Sequence, residues 1–443
     1  MSDALALPAR PNLEQYKKLA KELREVCRSP APHAAVDWIS RWSEGLAERQ
    51  GVKLTAEERE RLRREAERIE ASWRKTTRKP PGAGCTLSEA QFLMARAHGF
   101  SSWPIFAKHV EGLAMRNSGA AKFEAAVEAI VEGDGETLAR LLEENPGLIR
   151  ERSNREHRST LLHYVAANGV EDFRQRTPKN IVAIARMLLE AGADVNAESE
   201  AYGGGTTALL LAATSIHPAR AGVQTALLEL LLERGAYIDK PGGAGRRQNA
   251  VSECLANGQR AAAEFLARRG GRMGFAETAG VGDMKALRRY FDEDGKLSKE
   301  VSRREEQSGF LYACGYGREE AAAFLLERGM SAGMENEEGE TGLHWAAYGG
   351  HAGVARMLLE KGAAVEARER RFGGTPLDWA LHGWLEARSA EERERGYEMA
   401  ELLAGAGARF EPARWRDGTA KQEMLKRMRS DERMQAALGM KKG

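Results

Sequence analysis

One short pattern returns along most of this 443-residue chain and restricts it to a narrow set of architectures. TLLHYVAANG (160–169), TALLLAATS (207–215), NAVSECLANG (249–258), GFAETAGVG (274–282), SGFLYACGYG (308–317), TGLHWAAYGG (341–350) and TPLDWALHG (375–383) align with one another, and each opens a short helix pattern. Downstream stand MLLEAGADVNA (187–197), LLLERGAYID (230–239), FLARRGG (265–271), FLLERGM (324–330), MLLEKGAAVEA (357–367) and LLAGAGARF (402–410). These read as second helices ending on a C-cap glycine, which gives the chain's 47 glycines an architectural reason. The starts Ser308, Thr341 and Thr375 are 33 and 34 residues apart. A unit of that size cannot bury its apolar face alone, so such units stack on one another as a solenoid.

Thr341, Gly342, Leu343, His344, Trp345 and Ala346 stand where the ankyrin repeat family carries its T-P-L-H-x-A signature, and the chain resembles that family. The resemblance implies an all-α solenoid of about eight helix-turn-helix repeats over 121–412 with a concave face. His163 and His344 fall at the signature histidine, where the family uses the ring to hydrogen-bond backbone across repeats, which leaves them poor candidates for catalysis. Cys254 and Cys314 fill small slots that face the neighbouring repeat. Repeats four and five depart: the interval from Asn249 to Met273 is only 24 residues, and neither has the signature start, so a local break in the stack is open there. VEDFRQRTPKN (170–180), IHPARAGVQ (216–224) and GWLEARSAEERERG (383–396) lengthen the connection between helices and are expected on one edge of the array.

Residues 1–116 lack the repeat and form a separate N-terminal helical domain. Leu13, Tyr16, Leu19, Ala20 and Leu23 make one apolar stripe, Val36, Ile39 and Trp42 a second, and Leu62, Ala66, Ile69 and Trp73 a third. Thr55 with Glu58 and Thr86 with Glu89 are capping boxes. Trp103 and Pro104 predict a packed corner, and RKTTRKPPGAG (74–84) a loop. The region resembles the helical module found ahead of ankyrin arrays in bacterial proteins, which brings no chemistry with it. Residues 413–443 predict a basic tail with one helix, Thr419 to Leu438, whose Met424, Leu425 and Met428 cover the end of the stack.

The net charge of +2 hides an uneven distribution: 21 basic and 15 acidic residues in 1–120, 37 and 46 in 121–412, 9 and 4 in 413–443. The arginines at 59, 61, 63, 64 and 68 interleave with glutamates, as on a solvated helix with i,i+4 pairs. No run approaches the roughly 18 apolar residues of a membrane span, and the start has too short an apolar stretch for a secretory signal, so the expected location is cytoplasmic. The four cysteines are far apart and without metal spacing, which reads as reduced, mostly buried thiols.

Catalytic motifs are absent: there is no phosphate loop, no H-E-x-x-H and no G-x-S-x-G. GGGTTA (203–208) lacks a preceding buried strand and reads as a turn needing positive φ. The nine histidines are scattered, so no metal, no cofactor and no catalytic residue is expected. The working expectation is a non-catalytic protein-interaction scaffold. Carried over from the family, the partner-binding positions are the turn tips Glu337, Glu338, Glu340, Arg371 and Phe372, and the first-helix positions Tyr316, Tyr348 and His382. Trp345 and Trp379 occupy a more buried slot and read as packing. An acidic rim beside aromatics suits a protein partner with a basic segment and a few apolar anchors. Two alternatives remain: nucleic-acid association through the basic N-terminal domain, and an enzyme with a pocket between that domain and the first repeat. A convergent polar cluster at that junction favours the last, and a packed apolar junction opposes it.

Overall fold

The computed structural model describes the chain except residues 1–3, 9, 30, 32, 50–53, 80–82, 116, 240–248, 388, 412–418 and 441–443. It forms two compact units, Met1–Gln248 and Asn249–Gly443.

The first unit begins with five helices: α1 (Leu13–Cys27), α2 (Ala34–Arg49), α3 (Ala56–Thr77), α4 (Leu87–Ala97) and α5 (Trp103–Ala114). Both capping boxes form, at α3 and α4. The three apolar stripes meet in one core containing Tyr16, Leu23, Ile39, Trp73, Leu93 and Phe106. His98 is enclosed there, its ring against Tyr16, Trp42 and Phe106 and its Nδ1 donating to the Leu5 carbonyl at 2.8 Å. Trp103 packs on Phe106 at the start of α5. α3 continues through Thr77 and so takes the first four residues of the segment expected as a loop; the remainder of that segment lies partly outside the described residues. The expectation of four reduced thiols fails at Cys27 and Cys85. They form a disulfide with Cα atoms 5.5 Å apart, joining the end of α1 to the residue before the α4 cap. Cys254 and Cys314 are free and buried.

Helix pairs follow in the same unit: α6 (Gly119–Glu132) with α7 (Gly135–Glu144), a 3₁₀ helix Leu161–Ala166 with α8 (Ile181–Glu190), and α9 (Ala208–Thr214) with α11 (Gln224–Glu233), α10 (Ile216–Arg220) lying between them. A two-residue antiparallel ladder, β1 (Glu198–Ser199) with β2 (Thr206–Thr207), is a small exception in a helical array. Gly203, Gly204 and Gly205 in its turn all have positive φ, as expected of that segment.

The second unit stacks α12 (Ala250–Ala256) with α13 (Arg260–Arg268), α14 (Phe275–Val281) with α15 (Met284–Leu287), α16 (Arg303–Gly315) with α17 (Glu319–Glu327), α18 (Gly342–Gly349) with α19 (Ala352–Glu360), and α20 (Pro376–Glu386) with α21 (Ala390–Gly405). α14 packs on both α12 and α16, so the stack is unbroken through the degenerate fifth repeat. Close approach is possible because Gly280 lies against Leu255 and Gly309 against Phe275, where any Cβ would meet a side-chain atom at 2.8 Å. Beyond the array come α22 (Thr419–Ser430) and α23 (Glu432–Ala437). Leu425, Met428 and Met434 are buried, and Asp431 accepts from the Tyr397 hydroxyl of α21 at 2.7 Å. The side chain of Met424 lies outside the described residues.

The three long connections have different fates. Residues 170–180 supply Glu171 and Arg174 to a buried cluster, residues 216–224 contain α10 and the first residue of α11, and residues 383–396 lengthen α20 and α21 to 11 and 16 residues against 8 and 9 in the preceding pair.

Candidate functional site

The signature residues of the second unit build its scaffold. The His344 ring accepts from the Thr341 N–H at 3.1 Å through Nδ1 and donates through Nε2 to the Gly374 carbonyl of the next turn, 3.2 Å away. His163 repeats this with Thr160 and with the Thr206 carbonyl. Burial pushes the His163 pKa down to about 4 and lowers that of His344, so both rings are neutral links between repeats.

On that scaffold aromatic rings form a row across three repeats. Tyr312 meets Trp345 at 6.1 Å between centroids, Trp345 meets Trp379 at 6.3 Å, Trp379 meets Tyr348 at 6.3 Å, and Tyr348 stacks on His382 at 5.9 Å. Carboxylates hold the row: Trp345 Nε1 donates to Glu340 at 3.1 Å and the Tyr348 hydroxyl donates to Glu386 at 3.0 Å. At the neighbouring tips, Arg370 pairs with Glu335 and donates to the Glu337 carbonyl, bringing Glu337 and Glu338 beside Arg371 and Phe372. Glu369 fixes this second tip. It is 3% exposed, and although burial opposes its charge, the N–H groups of Gly374, Phe372 and Arg371 hold its carboxyl below the usual range. Phe372 consequently stands 74% exposed under the Arg371 guanidinium.

Of the eight sequence-derived positions, seven therefore lie along one strip from the tips to the helix ends. Tyr316 does not belong to it. It is buried, and its hydroxyl donates to the Leu255 carbonyl between α12 and α16, so it is a joint between repeats. Trp345 and Trp379 are only partly buried and link the two ends of the strip, which a reading of them as packing alone misses. Also missed is a groove of about 240 Å³ at the step made by the longer α20 and α21, lined by Tyr348, Trp384, Glu386, Glu392 and Arg395. Its signal was the inserted GWLEARSAEERERG, whose Glu, Arg, Leu and Ala favour helix over loop.

The first unit brings together something else. Glu124 of α6, Arg155, and Glu171 and Arg174 of the long connection converge in the interior, with Arg155 to Glu124 and Glu171 at 2.9 and 2.8 Å and Arg174 to Glu124 at 2.6 Å. His109 of α5, His157 and Tyr164 surround them. Burial alone would raise both carboxyls, but the two guanidiniums keep both well below the usual range. The junction between the N-terminal helices and the first repeats thus holds a convergent polar cluster, the outcome that favours a pocket there, but its two carboxylates and two guanidiniums are paired with one another in the interior, as in a structural ion network.

Residues 310–411 match the family model for ankyrin repeats, in three copies. This chain carries ankyrin repeats. The matched ankyrin repeats hold the whole aromatic row, all four acidic and basic tip positions and the groove. Similar curated proteins include the palmitoyltransferase Hip14 of Drosophila melanogaster (38% identity over 77 residues, 17% of this chain and 12% of that protein), a probable E3 ubiquitin-protein ligase, XBOS32, of Oryza sativa subsp. japonica (30% over 103 residues, 23% and 21%) and the NF-kappa-B inhibitor cactus of Drosophila melanogaster (42% over 50 residues, 11% and 10%). The chain spans at most about a fifth of the length of these relatives. Similar solved structures include the human ASB11 ankyrin repeat domain, 22% identical with a TM-score of 0.33 over 65% of this chain and 99% of that one, and the Bcl-3 ankyrin repeat domain, 19% identical with a TM-score of 0.28 over 61% and 96%.

Proposed function

We propose that this protein is a non-catalytic interaction scaffold that takes a protein partner along the strip of its second unit. The observation carrying this reading is the strip itself: partly exposed rings in contact across three repeats, with Phe372 exposed at a neighbouring turn tip and with Glu337, Glu338, Glu340 and Glu386 at the tips and helix ends. Exposed aromatics at the centre with charge at the rim are the anatomy of a protein interface. Carboxylates along the rim select a partner segment that is basic. Nucleic-acid binding through the N-terminal helices has less in its favour, because the α3 arginines are engaged: Arg63 with Asp37 and Glu67, Arg64 with Glu60, Arg68 with Glu65, Arg74 with Glu70.

The test is affinity capture from lysate with wild-type chain, with a Tyr348→Ala and Phe372→Ala double variant, and with a Glu229→Ala control on α11. A protein retained by wild type and control but lost by the double variant supports the reading. Equal retention by all three overturns it, and salt-labile retention of nucleic acid alone transfers the function to the N-terminal helices.

A further inference from the structure

The first unit contains a second site, independent of the strip. A cavity of about 390 Å³ opens where α3 and the end of α4 face the 152–159 loop and the 200–205 turn, a volume within the range of small-ligand pockets. Its walls carry both signs of charge. Arg68 is paired with Glu65, Arg96 is paired with Glu156, and Glu200, the 5%-exposed His157, Ser72 and Tyr202 complete the polar lining.

The rim is held in an uncommon conformation. Tyr202 has φ 55°, in the left-handed region that non-glycine residues seldom occupy, and such backbone persists where the surroundings over-determine it. Here they do: the Tyr202 hydroxyl donates to Asn168, and the Glu200 N–H donates to the His157 carbonyl at 2.7 Å. This side is tied to the end of α4, since the Glu156 N–H donates to the Gly99 carbonyl at 2.9 Å while its carboxylate meets Arg96. The cavity is therefore preformed.

Its charge pattern selects the ligand. A simple anion drawn to Arg68 and Arg96 has to approach three carboxylates, and a simple cation drawn to those carboxylates has to approach two guanidiniums. A molecule bearing both signs a few ångströms apart exchanges with the wall's own ion pairs charge for charge and gains charge-assisted hydrogen bonds at both ends. We propose that this cavity binds a small zwitterion of the amino-acid type, with its carboxylate toward Arg96 and Arg68 and its ammonium toward Glu156 and Glu200.

The experiment is calorimetric titration of the full chain with each common amino acid, and with sodium acetate and methylammonium chloride as single-charge controls at matched ionic strength. The expected result is saturable binding of at least one amino acid, little response to either control, and affinity reduced about tenfold or more in Glu200→Gln and in Arg96→Gln. Glu200 is exposed and the partner of neither arginine, so E200Q keeps the test decisive if R96Q does not fold. Equal binding of acetate or methylammonium overturns the proposal, as does an unchanged affinity in E200Q or the absence of saturation for every amino acid up to about 10 mM. Tyr348→Ala should leave the titration unchanged, which separates this site from the strip.

Discussion

At the residue scale, the first unit depends on groups whose charge state the interior dictates. Arg174 neutralises Glu124 and Glu171 together. Arg174→Met leaves two carboxylates buried with one guanidinium between them, and breaking a buried pair in this way costs about 3–5 kcal/mol, readable as a lower urea midpoint. The histidines act in the opposite sense to these ions, being buried neutral. Burial lowers His98 to about 3 and His109 and His163 to about 4 from 6.5. As pH falls the unfolded chain takes up these protons first, so the stability they contribute is complete above about 6.5 and is lost progressively toward 4. Urea unfolding at pH about 7.5 and about 5 should differ by about 2 kcal/mol per histidine, with the acid sample weaker.

At the element scale, α18 and α20 approach so closely that the backbone itself limits the side chain. A Cβ at Gly383 would lie 2.3 Å from the Tyr348 carbonyl oxygen. Gly383→Ala should therefore force the helices apart, cost about 1–3 kcal/mol in thermal unfolding, and weaken partner capture because Tyr348 moves with the backbone. In the N-terminal helices the Cys27–Cys85 bond closes a separation of 58 residues that contains α2 and α3. On loop entropy, reduction or Cys85→Ser should lower stability by about 4 kcal/mol, seen by comparing denaturation with and without reductant. Helix caps and apolar stripes for these elements were legible in the sequence because both are local patterns. The disulfide was not, because its two cysteines share no motif and meet only when α1 packs beside α4.

At the scale of the whole molecule, a net charge of +2 predicts little, whereas the distribution of charge predicts a good deal. The strip is bordered by carboxylates, so association with a basic partner should slow as salt rises, and Glu337→Gln with Glu338→Gln should flatten that dependence in stopped-flow measurements. The repeat period determined that the chain would be a helical array, since units of about 33 residues with one apolar face must stack. The signature determined that Thr341 and His344 would tie one repeat to the next, and the family's pattern pointed to Tyr348, Phe372 and the acidic tips. Exposure and convergence are different in kind, because they depend on what lies across a gap. Tyr316 and Tyr348 both stand near the end of a first helix, but Tyr316 aligns with Gly349, one place beyond Tyr348; it is buried with its hydroxyl on the Leu255 carbonyl, whereas Tyr348 is exposed. Glu124, Arg155 and Glu171 span 48 positions and say nothing of one another in the sequence; only the fold brings them within 3 Å, where low dielectric makes each ion depend on the others.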